Sequence, residues 1–145
     1  MLKVKKLDKR AKLPTRAYDG DLGFDLYLLE DTLIPAYEGD RPALKKLRTG
    51  IAVKFPKGWG GFIKDRSSIA TKDRLITVAG VIDNGYTGEI IVAVVNLSGK
   101  DVYLSAGTKI AQLVPIPVFD GSVVEVDELE ETKRGDKGFG SSGRC

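Results

Sequence analysis

The chain has 145 residues, enough for one ordinary domain, and 42% of them are apolar, enough for a real core. A net charge of +3 calls for neither a nucleic-acid nor a membrane partner, and the mild basic excess suits a phosphate-bearing substrate. Histidine is absent and Cys145 is the single cysteine, which removes the commonest general base, the commonest zinc ligand and any internal disulfide; metal chemistry must use carboxylates, water and ligand phosphates, the donors of a hard cation such as Mg²⁺.

Met1–Arg10 alternates Lys with Leu and Val and reads as no secretory leader, and no segment approaches the ~20 apolar residues of a membrane span. A reduced, cytoplasmic setting is the expectation.

Taken in chain order, the pattern is strand-like almost throughout. Strands are predicted at Leu2–Leu7, Phe24–Leu29, Leu47–Phe55, Trp59–Lys64, Leu75–Ala79, Glu89–Leu97, Val102–Leu104, Lys109–Pro117 and Ser122–Val126. Turn signals separate them at Tyr18–Asp21, Pro35–Pro42, Pro56–Gly58, Asp83–Gly85, Ser98–Lys100 and Ala106–Gly107. Apolar runs on both sides of Asn84-Gly85 predict a β-hairpin there. A short helix or turn is predicted around Ser68–Lys72. Many short strands and 17 glycines argue for an all-β domain, a sandwich or a jelly-roll-like barrel, over residues 1–126. Residues 127–145 turn acidic and then Gly/Ser-rich, the composition of a mobile C-terminal arm.

Five segments carry residues suited to chemistry. In Leu22-Gly23-Phe24-Asp25-Leu26, an Asp interrupts an apolar stretch; if buried it needs a partner or a metal, and otherwise it ends a strand in solvent. Arg66-Ser67-Ser68 offers a guanidinium and two hydroxyls, good phosphate-binding chemistry and equally ordinary loop composition. In Val81–Glu89, Asp83 follows an apolar run, where partial burial would make it a general base for water; the alternative is a turn cap. Tyr86 is a pocket wall or plain sheet packing. Gln112, inside the apolar strand Lys109–Pro117, is a structural bridge or a ligand contact. The tail from Arg134 to Gly143 is either a floppy terminus or a glycine-rich cradle for phosphates, with Phe139 free to stack on a planar ring. No helix follows it and no Gly-Lys-Ser/Thr ends it, so it is not a Walker A loop.

In this order and spacing the five segments resemble the ordered motifs of the trimeric dUTP diphosphatase (dUTPase) family, over most of the chain from Leu22 to Gly143. The resemblance implies a jelly-roll-like subunit, a homotrimer with sites at subunit interfaces, and Mg²⁺-dependent hydrolysis of dUTP to dUMP and pyrophosphate. It implies that Asp83 activates the water attacking the α-phosphorus and that Asp25 holds Mg²⁺ through coordinated water. Arg66, Ser67, Ser68 and Gln112 would contact phosphates or the water. Tyr86 would lie under the deoxyribose and exclude a 2′-hydroxyl. Thr77, Val81, Ile82 and Ile91 would belong to the uracil pocket. From the arm, Arg134, Ser141 and Ser142 would grip the γ-phosphate while Phe139 and Gly140 close over the base. The chain departs from the family pattern at Asp65, where proline or glycine is common, at Thr77, where many bacterial members have asparagine, at Lys137, usually glycine, and in a loop Ala36–Lys46 that looks longer than usual.

Two rivals remain. dCTP deaminase, a relative with the same fold, shares stretches like Arg66–Ala70 and Ala79–Asp83, but places a catalytic Glu where this chain has Ala93. The other is a non-catalytic trimer that keeps the nucleotide pocket.

Overall fold

The computed structural model describes residues 1–37 and 44–138. Ten strands and one short helix follow in order: β1 (Lys3–Lys6), β2 (Phe24–Tyr27), β3 (Thr32–Ile34), β4 (Leu44–Lys54), β5 (Trp59–Lys64), α1 (Ser67–Thr71), β6 (Leu75–Thr77), β7 (Val81–Ile82), β8 (Glu89–Asn96), β9 (Val102–Leu104) and β10 (Lys109–Pro117). They form two four-stranded sheets, β1-β4-β8-β6 and β2-β10-β5-β7, and a two-stranded ribbon, β3-β9. Every pairing is antiparallel. The all-β, jelly-roll-like expectation holds, though no ladder among the described residues closes the sheets into a complete barrel.

Alternation explains how the sheets face each other. In β8, Ile90, Val92, Val94 and Asn96 are buried while Glu89, Ile91, Ala93 and Val95 are half-exposed, the period-two signature of a strand with one face on the core. The core gathers Leu26, Ile34, Leu47, Ile51, Leu75, Ile110 and Leu113 from both sheets and the ribbon. Two polar side chains are buried with it, Thr49, whose hydroxyl donates to the Ile90 carbonyl at 2.6 Å, and Asn96. The Asn96 amide donates to the carbonyls of Ile34, Pro35 and Lys100 and accepts from the Ser98 amide and hydroxyl, so its burial leaves nothing unsatisfied.

Several sequence expectations are corrected. Val81–Ile82 and Glu89–Asn96 do not form a hairpin: β7 pairs with β5 in one sheet and β8 with β4 and β6 in the other, so the Asp83–Gly88 connection crosses between sheets. The strand expected over Leu75–Ala79 stops at Thr77. Ala79 and Gly80 take φ of +61° and +93°, and a side chain at residue 80 would meet the Ile63 carbonyl at 2.9 Å, so the chain breaks there and re-enters the other sheet. Ser122–Val126 is no strand: it runs without a ladder partner, and Val123 and Val124 are exposed. The loop read as Ala36–Lys46 ends earlier, because β4 begins at Leu44. The strand β3 was missed.

Candidate functional site

The carboxylate of Asp25 organises the first cluster. It lies on β2 directly across from Gln112 of β10, which in turn lies across from Lys64 of β5, so the three share one row on the outer face of the second sheet. Its two oxygens each take a cation: Arg66 Nε at 2.8 Å and Lys109 Nζ at 2.8 Å. Asp25 is thus neither bare in solvent nor dependent on a metal for partners, and its side chain is only 13% exposed. The hydrogen bond to Asp25, then its charge, raises the Lys109 ammonium above the usual lysine range. The Arg66 guanidinium also donates to the Lys109 carbonyl at 3.3 Å.

Arg66 itself is the cap residue of α1, with extended backbone, and places Ser67 and Ser68 in the first turn. Two residues join β5 to the helix, Arg66 and, before it, Asp65. Its carboxylate accepts the Thr77 N–H at 2.6 Å, and its carbonyl accepts Gln112 Nε2 at 2.8 Å. The departure from the family pattern at Asp65 therefore supplies a tie between the two sheets at the foot of the Arg-Ser-Ser segment. Gly23 lies against the same Gln112 amide, leaving no room for a Cβ.

Asp21, Leu22, Gly23, Asp25, Arg66, Ser67, Ser68 and Gln112 line a common cleft of about 440 Å³. Its polar lining combines the donors of an oxyanion site, a guanidinium, two hydroxyls and an amide, with the carboxylates of Asp21 and Asp25.

A second cleft, of about 220 Å³, is lined by Ile63, Val81, Ile82, Asp83, Tyr86 and Ile91, together with Gly80 and Glu89. Its walls are mostly apolar. The Tyr86 hydroxyl donates to the Glu89 carbonyl at 2.8 Å, and Gly88 lies close under the ring, which fixes the tyrosine as a wall rather than as core packing. The Glu89 carboxylate is engaged elsewhere, by the Gly50 N–H and Arg48 Nε. Asp83 is exposed, not partly buried as the sequence suggested, and its carboxylate has no hydrogen bond or ion pair among the described residues. No lysine or arginine lines this cleft.

The expected residues thus fall into two groups that share no lining residue. Asp25, Arg66, Ser67, Ser68 and Gln112 come together in the first, and Val81, Ile82, Asp83, Tyr86 and Ile91 in the second. Thr77 lies outside both, at the end of β6, with its N–H held by Asp65. Arg134 sits in an exposed turn and donates to the Lys137 carbonyl. Phe139, Gly140, Ser141 and Ser142 lie outside the described residues. Sequence reasoning missed Lys109 and Asp65 as parts of the site. Lys109 had one visible signal, a cation opening the strand that carries Gln112.

The sequence matches the dUTPase family model over residues 9–143. The chain belongs to the dUTPase family. The deoxyuridine 5'-triphosphate nucleotidohydrolase of Hydrogenobaculum sp. (strain Y04AAS1) is 42% identical over 145 residues, spanning 98% of this chain and 97% of that protein. The one from Clostridioides difficile is 38% identical over 144 residues, with 98% and 97% covered. Among solved structures, the Staphylococcus bacteriophage 80alpha dUTPase with dUPNHPP superposes with a TM-score of 0.86 at 28% identity, over 99% of this chain and 98% of that one. The carboxylate that the deaminase rival requires is absent at residue 93. Ala93 presents only a methyl from β8, and its carbonyl accepts the Val78 N–H.

Proposed function

We infer that the protein is a hydrolase that converts dUTP to dUMP and pyrophosphate by attack of water on the α-phosphorus, removing dUTP and supplying dUMP for dTMP synthesis. The observation that carries the mechanistic reading is the division of labour between the clefts. One holds the cation and hydroxyls that a triphosphate needs, and the other holds a carboxylate unpaired among the described residues, beside apolar walls that suit a nucleoside.

Each cleft is half of a site, which supports a homotrimer whose sites lie between chains. Two further features favour it. Phe62 and Val81 lie side by side on the outer face of the second sheet, 40% and 65% exposed, and Phe119, Val123 and Leu129 leave an extended segment with apolar side chains in solvent. Such surfaces are covered when a second copy packs on them. In this reading residues 127–145 form an arm that closes over a neighbour's site, bringing Arg134, Ser141 and Ser142 to the γ-phosphate and Phe139 and Gly140 to the base.

The roles then follow from chemistry. Arg66, Ser67 and Ser68 bind phosphate oxygens, and Gln112 contacts phosphate or the water. Asp83, with both oxygens free among the described residues, accepts a proton from the water as its oxygen bonds to phosphorus and the bridging oxygen leaves with pyrophosphate. The Tyr86 ring packs under the deoxyribose and rejects a 2′-hydroxyl. β7 is an edge strand, and the free side of its backbone at Val81 and Ile82 offers a donor and an acceptor to the uracil edge. A cytosine there would leave buried polar groups mispaired. Thr77 and Ile91 would support that pocket from β6 and β8.

The residues present fit Mg²⁺ bound through water. The described residues hold no group of three or more acidic, His or Cys ligands, and the Asp25 oxygens already carry two cations, so a metal here would rest on nucleotide phosphates and waters that hydrogen-bond to Asp25. When bound, the ion neutralises the charge that builds up on the leaving pyrophosphate. A cytoplasmic location suits a chain with one cysteine, and no helix among the described residues is long and apolar enough to cross a membrane.

The test is product analysis with dUTP, dCTP or UTP, with Mg²⁺ and again with EDTA. Release of dUMP and pyrophosphate from dUTP alone, lost with EDTA, is expected. Deamination of dCTP would move the chain to the rival activity, and binding without turnover would make it a nucleotide-binding trimer.

A further inference from the structure

We propose that Asn84 is the positioning residue that fixes Asp83 in line for the attacking water. The proposal rests on the reading of Asp83 given above and adds to it the device that holds the carboxylate in place.

The Asp83 side chain receives no orienting bond among the described residues, so its direction is set by its main chain. That main chain lies in the crossing between two sheets, where no ladder holds it and the bond from the Tyr86 N–H to the Asp83 carbonyl, at 3.1 Å, is local to the crossing itself. Asn84 provides the missing hold. Its amide nitrogen donates to the carbonyls of Pro56 and Trp59, both at 2.7 Å. Those two carbonyls are the ends of the turn from β4 to β5, itself closed by the Trp59 N–H on the Pro56 carbonyl at 3.2 Å and tied to the end of β10 by the Val118 N–H on Gly58 at 2.9 Å. A third bond comes from Lys54 Nζ, which donates to the Asn84 carbonyl at 3.1 Å. The residue beside the water-activating carboxylate is thereby fastened at two points to a turn that belongs to the frame of both sheets and at a third to the end of β4.

The residue type is dictated by this arrangement. Both partners of the side chain are acceptors, so one short side chain must present two donors. Asparagine does so; serine has one donor, and aspartate, of the same shape, has none. The Asn84-Gly85 pair is therefore spent on anchoring rather than on the hairpin its sequence suggests.

The test compares Asn84→Asp, Asn84→Ser and Asp83→Asn with the unaltered enzyme, reading kcat and KM for dUTP and the binding of a non-hydrolysable α,β-imido analogue. A displaced carboxylate costs turnover and spares affinity, so Asn84→Asp is expected to lower kcat about tenfold to a hundredfold while analogue binding stays within about threefold, with Asn84→Ser in between. Should Asn84→Asp fail to fold, Lys54→Met carries the question, because Lys54 is exposed and its loss removes one tie only; a kcat reduced about two- to fivefold with unchanged analogue binding is expected. Unaltered kcat in both Asn84→Ser and Lys54→Met, with Asp83→Asn inactive, overturns the proposal and leaves the role of Asp83 standing. Weakened binding at unaltered kcat also overturns it, by assigning Asn84 to affinity. A fully active Asp83→Asn removes the reading beneath it instead.

Discussion

Gln112 Nε2 donates to the carbonyl of Asp65 at 2.8 Å, across the seam where β10 leaves β5. The same Asp65 holds the Thr77 N–H through its carboxylate, so one residue joins β10, β5 and β6 just ahead of Arg66-Ser67-Ser68. Phosphate-binding side chains act only within a narrow range of positions, and this junction sets theirs. Asp65→Ala should orphan the half-buried Thr77 N–H, destabilise the fold by about 1–3 kcal/mol and lower kcat/KM for dUTP. Asp65→Asn keeps an acceptor and should recover most of both. Urea unfolding and initial rates measured in parallel check this; equal behaviour of the two variants would show that the bond to Thr77 does not matter.

Gly23 presses on the other side of the Gln112 amide. A Cβ there would overlap the amide oxygen. Gly23→Ala should therefore turn Gln112 off the Asp65 carbonyl, leaving the second cleft and its Tyr86 untouched. The expected result is a loss in kcat/KM of about tenfold or more, with bound nucleoside lacking phosphates unaffected. Calorimetry with deoxyuridine beside dUTP kinetics separates the two clefts.

Much of this fold was legible because its strands are short and alternate. Trp59–Lys64, Val102–Leu104 and Lys109–Pro117 were read at their observed limits. Partnership was not legible. Asn84-Gly85 has the composition of a hairpin turn, but which sheet each flanking strand joins is decided by β5 and β4, far away in the chain. β3 hides its period, because the apolar Leu33 points outward between Thr32 and the buried Ile34. Val123, Val124 and Val126 carry a strand pattern that finds no edge in a single chain. In the site, the sequence required a partner or a metal for Asp25, and it could not say that Arg66 and Lys109 would both supply one.

Asp31 gives a pH dependence with defined limits. Its carboxylate accepts the Ala106 N–H at 2.8 Å and the Tyr103 hydroxyl, and these bonds hold it below its ordinary value of 3.8. The same contact raises the Tyr103 phenol above 10.0. A carboxyl with a lowered value contributes stability above its unfolded value and loses it as pH falls through the folded one; a phenol with a raised value contributes below its unfolded value and loses it as pH rises through the folded one. The contribution of the pair is therefore a plateau between those limits. Asp31→Asn should lower Tm by a constant amount across neutral pH, and the gap should close under acid below 3.8 and narrow under alkali above 10.0. Thermal melts of both proteins across pH test it, and a gap that persists in acid would mean that the carboxylate charge contributes nothing.

The separation of the two clefts predicts complementation. Arg66→Ala damages the phosphate cleft and Asp83→Asn damages the other, so each variant alone should be inactive. If a site combines the phosphate cleft of one chain with the nucleoside cleft of another, a mixed trimer contains one interface where both contributions are intact. Random assembly of equal amounts then restores about a quarter of the unaltered activity, since three-quarters of trimers are mixed and each has one good site in three. Co-expression with two different affinity tags, followed by tandem purification, isolates the mixed species and raises the expectation to about a third. A site built within one chain would recover nothing at any ratio, because no single chain would then carry both intact clefts.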